Sequence, residues 1–442
     1  MRRFAAALAV LLAPRAAAAA ELPFHKSTLD NGLTLIVHED PSVPVAAVNL
    51  VVRVGSRDEE PGKTGFAHLF EHLMFMGTKR VPPKMFDAWM EAAGGSNNAW
   101  TSSDLTDYHE SGPPGSLALL LYLEADRLEV LGREIDKAKL DLQRDVVRNE
   151  RRQQIENVPY GKVELRLPEL LYPKGHPYHH PVIGSHEDLE AATVDDVRRF
   201  FATHYTAPNV SLVVAGDVKL DDVREQVRRA FGHLPGGPRP ARAKPGDVPR
   251  LSSPVKETLE DKVELAKIVV AFHSPAHFAD GDAELDLFAS VAGSGKASRL
   301  YKALVVDRPL AQSVDCTQQS GHLSSVFQIE VVARAGVSLD ELQTALDKAL
   351  DKALDAPPTE AELRRAKSQY EHSFVARLEA PTARAKLLNL YEVELGEPAS
   401  LERDLGRYRK ATAQAVQAAA RAWLKTSGRV VLRVVPAKER SK

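Results

Sequence analysis

The chain has 442 residues, is 44% hydrophobic and 27% charged, and carries a formal net charge of −2. The length suits two domains, the composition is that of an ordinary folded protein, and the balanced charge excludes a broad nucleic-acid footprint. A lone cysteine, Cys316, excludes an internal disulfide or a multi-thiolate metal site and fits a small buried hydrophobe.

In chain order, Met1–Ala20 reads as a secretory signal peptide: a basic start, an apolar run over Phe4–Ala13, and Ala18-Ala19-Ala20 as a small-residue cleavage site. That points to a periplasmic or secreted protein, with a mitochondrial presequence as the alternative. Nothing beyond it is long and apolar enough to span a bilayer. Leu33–His38 and Val45–Val54 are β-branched and apolar, hence strands. A helix follows at about 64–77. Gly94-Gly95 starts a turn and Asn98–Thr101 is strand-like. Leu117–Leu131, Ile135–Asn157 and Val194–His204 have helical periodicity, and Val210–Val214 is a buried strand.

Residues 235–254, rich in Pro and Gly, read as an interdomain linker. Beyond it, Val263–Phe272 is a strand and Ala283–Ala292 a helix. Residues 412–432 repeat the pattern of 193–214: a Thr-started helix, a polar turn, then a Val-rich strand. One α+β unit is therefore expected twice. The expected fold is α+β with two related domains, 21–234 and 255–442. The run 345–356, ALDKALDKALDA, reads as an exposed amphipathic helix.

The chemistry concentrates in residues 65–76, GFAHLFEHLMFM. Only His68, Glu71 and His72 are polar there, and helical spacing puts all three on one side. Burying two imidazoles and a carboxylate in an apolar helix costs several kcal/mol unless a cation or a self-satisfied polar cluster compensates. An i, i+4 histidine pair can grip one ion, as zinc sites require. Zinc then needs a third protein ligand and an open position. Glu150 is the candidate: Val146 and Val147, one turn earlier, mark its face as inward. Glu71, on the same helix but not needed as a ligand, is the general base. The other histidines, His109, His176, His179, His180, His186 and His204, lack such a pattern and read as surface or packing residues.

H-x-x-E-H is the inverted zinc-peptidase signature, and here the chain resembles the pitrilysin family, also called the insulinase or mitochondrial-processing-peptidase family. The resemblance extends over GGSNNAWTSSDLTDYHE (94–110), VVRNERRQ around Glu150, HPYHHPVIGSHEDLEAATVDDVRRFFATHY (176–205) and SLVVAGDV (211–218). It implies a mixed sheet flanked by helices in each half, and one zinc per chain held by His68, His72 and Glu150. It also implies peptide substrates added as a strand beside Asn98, Ala99 and Thr101. A chain of this size resembles one half of the family's clamshell, which pairs with a second chain, a paralogue or another copy.

Two departures stand out. Gln143 replaces a frequent second glutamate two turns before Glu150, where it could orient the ligand by a hydrogen bond. Val305 and Gln312 stand where active relatives often carry an Arg and a Tyr that steady the scissile carbonyl. The expected function is a zinc-dependent endopeptidase whose paralogous partner supplies the missing Arg/Tyr pair. The alternative is a non-catalytic assembly subunit or peptide-binding module.

Overall fold

The computed structural model describes residues 22–244 and 248–437. The expected leader, Met1–Ala20, lies outside them. Among the described residues, eleven strands form two mixed sheets. The first holds β1 (His25–Thr28), β2 (Thr34–Glu39), β3 (Ala46–Val52), β4 (Ser96–Thr101), β5 (Thr106–Gly112) and β6 (Val210–Gly216), in the order β1-β2-β6-β3-β5-β4. The second holds β7 (Val255–Asp261), β8 (Lys267–Ser274), β9 (Ala311–Gln319), β10 (Ser325–Ala333) and β11 (Val430–Pro436), in the order β7-β11-β8-β10-β9.

Without β1, the two sheets have the same topology. In each, the first strand pairs parallel with the last, the last pairs antiparallel with the second, and the two remaining strands add antiparallel to the edge. The faint repeat in the sequence is thus a duplicated unit. Its two helix–strand copies are Val194–His204 with β6 and Ala413–Trp423 with β11.

Both faces of each sheet are covered, which is why the central strands read as unbroken apolar runs. On the first sheet, Leu35, Val48, Leu50 and Leu212 pack on helices of their own half. Ile36, Val213 and Ala215 on the reverse pack on Ala385 and Leu388 of the helix Pro381–Leu395, from the second half. The exchange is mutual. Val269, Ala271, Val430 and Leu432 of the second sheet are covered by Val163, Leu167 and Leu171 of the helix Lys162–Leu171, from the first half.

Polar pins fix these crossings. The Asn389 amide donates to Asn49 Oδ1 at 2.8 Å and to Ser211 O at 3.1 Å. Asp104, in the β4–β5 turn, accepts from Arg57 (2.8 Å), Tyr178 OH (2.6 Å) and the His322 amide (3.0 Å). Arg242, within 235–254, bonds Asp58 at 2.8 Å, and that stretch has no helix or strand among its described residues.

Three expectations change here. The strand expected over Val263–Phe272 is β8, which starts only at Lys267 and runs to Ser274. Ile135–Asn157 is a helix over Lys137–Glu150 that widens into a π-type turn over Arg151–Glu156, where the Asn157 amide reaches Arg152 O. The run 345–356 lies mostly in the helix Leu339–Asp355, and it is not wholly exposed: Ala345, Leu346, Leu350 and Ala353 enter the second core. Cys316 is a free, buried thiol. No helix among the described residues is long and apolar enough to cross a membrane.

Candidate metal centre

The H-x-x-E-H segment forms the helix Phe66–Leu73, shorter than the expected 64–77. Phe66, Leu69, Phe70 and Leu73 enter the first core and Ala67 is buried, so the helix is anchored on every face but one. Its start is built tightly. Gly65 sits at φ +89°, and a Cβ there would lie 2.7 Å from Ile183 O. Gly184, at φ +71°, faces it, and its Cβ would lie 2.3 Å from Thr64 O. Only glycine allows this crossing.

Glu59 caps the helix. It accepts from the Gly65 amide at 2.9 Å and the Ala67 amide at 2.7 Å, satisfying two free donors where the helix dipole favours an anion. Burial pushes its carboxyl well above the usual range, against those two amide bonds.

The open face carries the three polar side chains. The His68 and His72 rings stand edge-to-face with centroids 4.8 Å apart. Glu150, the last residue of its helix, brings Oε2 to 3.2 Å from His72 Nε2 and 3.8 Å from His68 Nε2. One ligand atom from each of the three falls within 4.8 Å of the others, the only such convergence of three His, Cys, Asp or Glu side chains among the described residues. Two imidazole nitrogens and one carboxylate oxygen aimed at a common point are the donor set of a zinc site with an open position. His68 turns Nε2 toward this point and leaves Nδ1 buried without a partner among the described residues.

The local charges cohere. Burial and the neighbouring His72 drive His68 down to about 4, although Glu150 opposes them, so the ring is neutral at pH 7. Burial also acts against His72, but the Glu150 hydrogen bond and charge outweigh it and raise its pKa. Glu150 is lowered, first by the His72 hydrogen bond.

Glu71 stays outside the triad and is buried. Its Oε2 accepts from Thr101 Oγ1 at 2.5 Å. Burial raises its pKa, and the Thr101 bond opposes the rise. Thr101 thus has a task that its strand position alone did not suggest. It holds the candidate base from β4.

Gln143 does not bond Glu150. Its amide nitrogen meets Met76 Sδ at 2.7 Å, and its contact with His72 helps raise that ring's pKa. The expectation that it orients Glu150 is corrected, because its side chain turns toward the histidine helix. The face argument for Glu150 is corrected in part. Val147 is fully buried, but Val146 is 40% exposed. The π-type turn begins directly after Glu150, so the helix leaves this residue at the rim of the cleft.

Asn98, Ala99 and Thr101 lie on β4, an edge strand paired, among the described residues, with β5 alone. Its outer edge can take another strand, although the Ala99 amide now donates to Asn98 Oδ1 at 2.8 Å. All three line a cleft of about 800 Å³, together with the metal set. A second cleft of about 680 Å³ shares Gln154, Glu164 and Val182 with it and runs between the halves. Neither Val305 nor Gln312 lines the metal cleft. Val305 lies half-buried in a helical turn of the second half, and Gln312 is exposed on β9. The sequence reading missed Glu59, whose only signal was an acid just before the Gly65 turn, and Phe75, which with Trp100 lines the cleft as an aromatic side chain.

Residues 34–177 match the family described as insulinase (peptidase family M16), and residues 191–370 match the peptidase M16 inactive domain. Among curated proteins, the zinc protease PqqE of Helicobacter pylori is 30% identical over 381 residues, 84% of each chain. The crystal structure of a protease from Helicobacter pylori superposes with a TM-score of 0.87 at 26% identity, covering 94% of this chain and all of that one. The periplasmic protease PqqL of Escherichia coli shares the fold, with a TM-score of 0.76 at 19% identity over 94% of this chain. The match spans only 48% of PqqL.

Proposed function

The chain belongs to peptidase family M16, and on that premise we propose that it is a zinc-dependent endopeptidase acting on extended peptides. The observation that carries this reading is the convergence of His68, His72 and Glu150 beside a free carboxylate, Glu71. Zinc held by those three residues would polarise the scissile carbonyl and lower the pKa of water toward ~7.

The chain's own residues do the rest. Glu71 takes the proton of the attacking water and returns it to the leaving amine. Thr101 fixes the carboxylate so that one oxygen stays turned to the cleft. The outer edge of β4 binds the peptide backbone as an added strand near Asn98 and Ala99, the Ala99 amide exchanging its Asn98 bond for one to the peptide. The cleft between the halves has room for the chain on either side of the bond.

The fold of PqqL is about twice as long as this chain, which supports the pairing of this half with another. Val305 and Gln312 cannot replace a cation and a phenol, so a paralogous partner supplies them. The Met1–Ala20 leader supports a periplasmic or secreted location.

The same two residues favour the second reading, a non-catalytic assembly subunit or peptide-binding module. Turnover of a fluorogenic peptide by the zinc-loaded chain, alone and with the paralogue, separates them. Cleavage that rises with the paralogue and vanishes with Glu71→Gln supports the enzyme. Binding without cleavage in both mixtures supports the module.

A further inference from the structure

Beneath the cleft lies a charged cluster that the reaction above does not use. Arg127 is 2% exposed, and Glu110 and Glu124 are fully buried. Arg127 Nε donates to Glu124 Oε2 at 3.0 Å, and Nη2 donates to Glu110 Oε1 at 3.2 Å and to Glu124 Oε1. Arg127 Nη1 and Glu110 Oε2 have no partner. Such a triad is a poor source of stability, because the desolvation of three charges offsets most of their attraction and apolar side chains of equal volume often do better.

What surrounds the cation is more telling. The guanidinium lies 4.3 Å from the Tyr108 ring centroid, 4.9 Å from that of Phe75 and 5.0 Å from that of Phe86. Phe75 also meets Phe86 edge-on at 5.4 Å. Of the three rings, only Phe75 faces the metal cleft. It lies two residues past the histidine helix, with its amide bonded to His72 O at 3.1 Å. The ring is one of the two aromatic side chains of the cleft, with Trp100, and the cation is its backing.

The geometry points to Arg127 as a positioning residue: by its cation–π contact it fixes the Phe75 ring, and so sets the cleft's preference for an aromatic side chain beside the scissile bond. Glu124 and Glu110 serve this by holding the guanidinium fork at a fixed angle, which a flexible lysine cannot match. A ring free to turn would accept small and large side chains more equally, since aromatic pairing depends on ring orientation. This inference rests on the peptidase reading.

The test uses the zinc-loaded full chain with its paralogue, and fluorogenic peptides that carry Phe or Ala at either position flanking the cleaved bond. Phe75→Leu identifies the position whose Phe-over-Ala preference the ring carries. Arg127→Met/Glu124→Gln removes the cation and one acid together. Arg127→Lys is the conservative variant and keeps the experiment decisive if the double variant does not fold. The expected result is a Phe-over-Ala ratio in kcat/KM that falls about fivefold in the double variant, a fraction of the roughly 30-fold that a desolvated cation–π contact is worth, since the ring is loosened and not removed. The loss lies in KM for the Phe peptide, kcat on the Ala peptide stays within about twofold, and Arg127→Lys falls between. A folded variant of either kind with the wild-type ratio overturns the inference. So does an equal loss on both peptides, which would mark a merely structural role. A wild type that cleaves no peptide overturns the peptidase reading, and this inference with it.

Discussion

Replacing Glu150 by Gln tests the metal centre without changing its shape. In the native chain, one carboxylate oxygen lies 3.2 Å and 3.8 Å from the two imidazole nitrogens, so a cation placed among them meets one formal negative charge from its ligands. Gln keeps an oxygen at that place but removes the charge. Structural zinc sites with four protein ligands bind with about 10–16 kcal/mol, or roughly 2.5–4 kcal/mol per ligand. A neutral amide oxygen retains part of that. The expected loss is about 2–3 kcal/mol, a zinc affinity roughly 30- to 150-fold weaker. Competition against a chromophoric chelator reads it directly. The far-ultraviolet circular dichroism should be unchanged, because Glu150 ends its helix and its side chain is only part-buried. A dissociation constant within about threefold of wild type would refute the assignment of Glu150 as a ligand.

Three further outcomes follow from named contacts. Thr101→Val removes the hydroxyl that holds Glu71, so kcat should fall about tenfold with zinc content unchanged, as steady-state kinetics with metal analysis would show. Asp104→Asn weakens the node joining the β4–β5 turn to Arg57, Tyr178 and His322, and should cost about 2–3 kcal/mol in urea denaturation because buried donors lose a charged acceptor. Glu362 is held down to about 2 from the usual 4.5, first by its Arg299 hydrogen bond and against burial. Its folded pKa lies below the unfolded one, so its stabilisation is complete above pH 4.5 and is lost as the pH falls toward about 2. Glu362→Gln should therefore be less stable than wild type by about 1–2 kcal/mol at pH 7, after discounting for solvent. The gap should close between pH 4.5 and about 2 in denaturation measured across that range.

The parts of the fold legible in sequence were those with a single dominant signal. β2, β3 and β6 are buried on both faces, so their apolar runs stand out. Val194–His204 begins at a Thr193 cap whose box with Asp196 is visible in the sequence, and the expected range matches the observed one. β5 went unread because TDYHESG has no hydrophobic pattern. Yet it lies inside the sheet: Asp107 is bonded to Asn49 and Glu110 to Arg127, partners 58 and 17 residues away. A polar strand can be central only when distant residues neutralise it, and a local reading sees none of them. The reciprocal helix exchange was hidden for the same reason. Nothing within Pro381–Leu395 says that its apolar face belongs on the other half's sheet.

The candidate site divides in the same way. His68, Glu71 and His72 share one helix, so their spacing alone placed them together. Glu150 was reached from its helical face, an argument half right, since Val147 is buried and Val146 is not. The Thr101 bond to Glu71, the Glu59 cap and the turn of Gln143 toward Met76 depend on how separate segments meet, and no spacing rule reports that.

The most direct test is the zinc K-edge absorption spectrum of the purified chain with one equivalent of zinc, beside its His72→Ala variant. The account predicts one ion per chain, with two imidazoles and oxygen ligands at about 2.0–2.1 Å, and one imidazole fewer in the variant. A spectrum without imidazole scattering, or one with the same imidazole scattering in the two proteins, would contradict it.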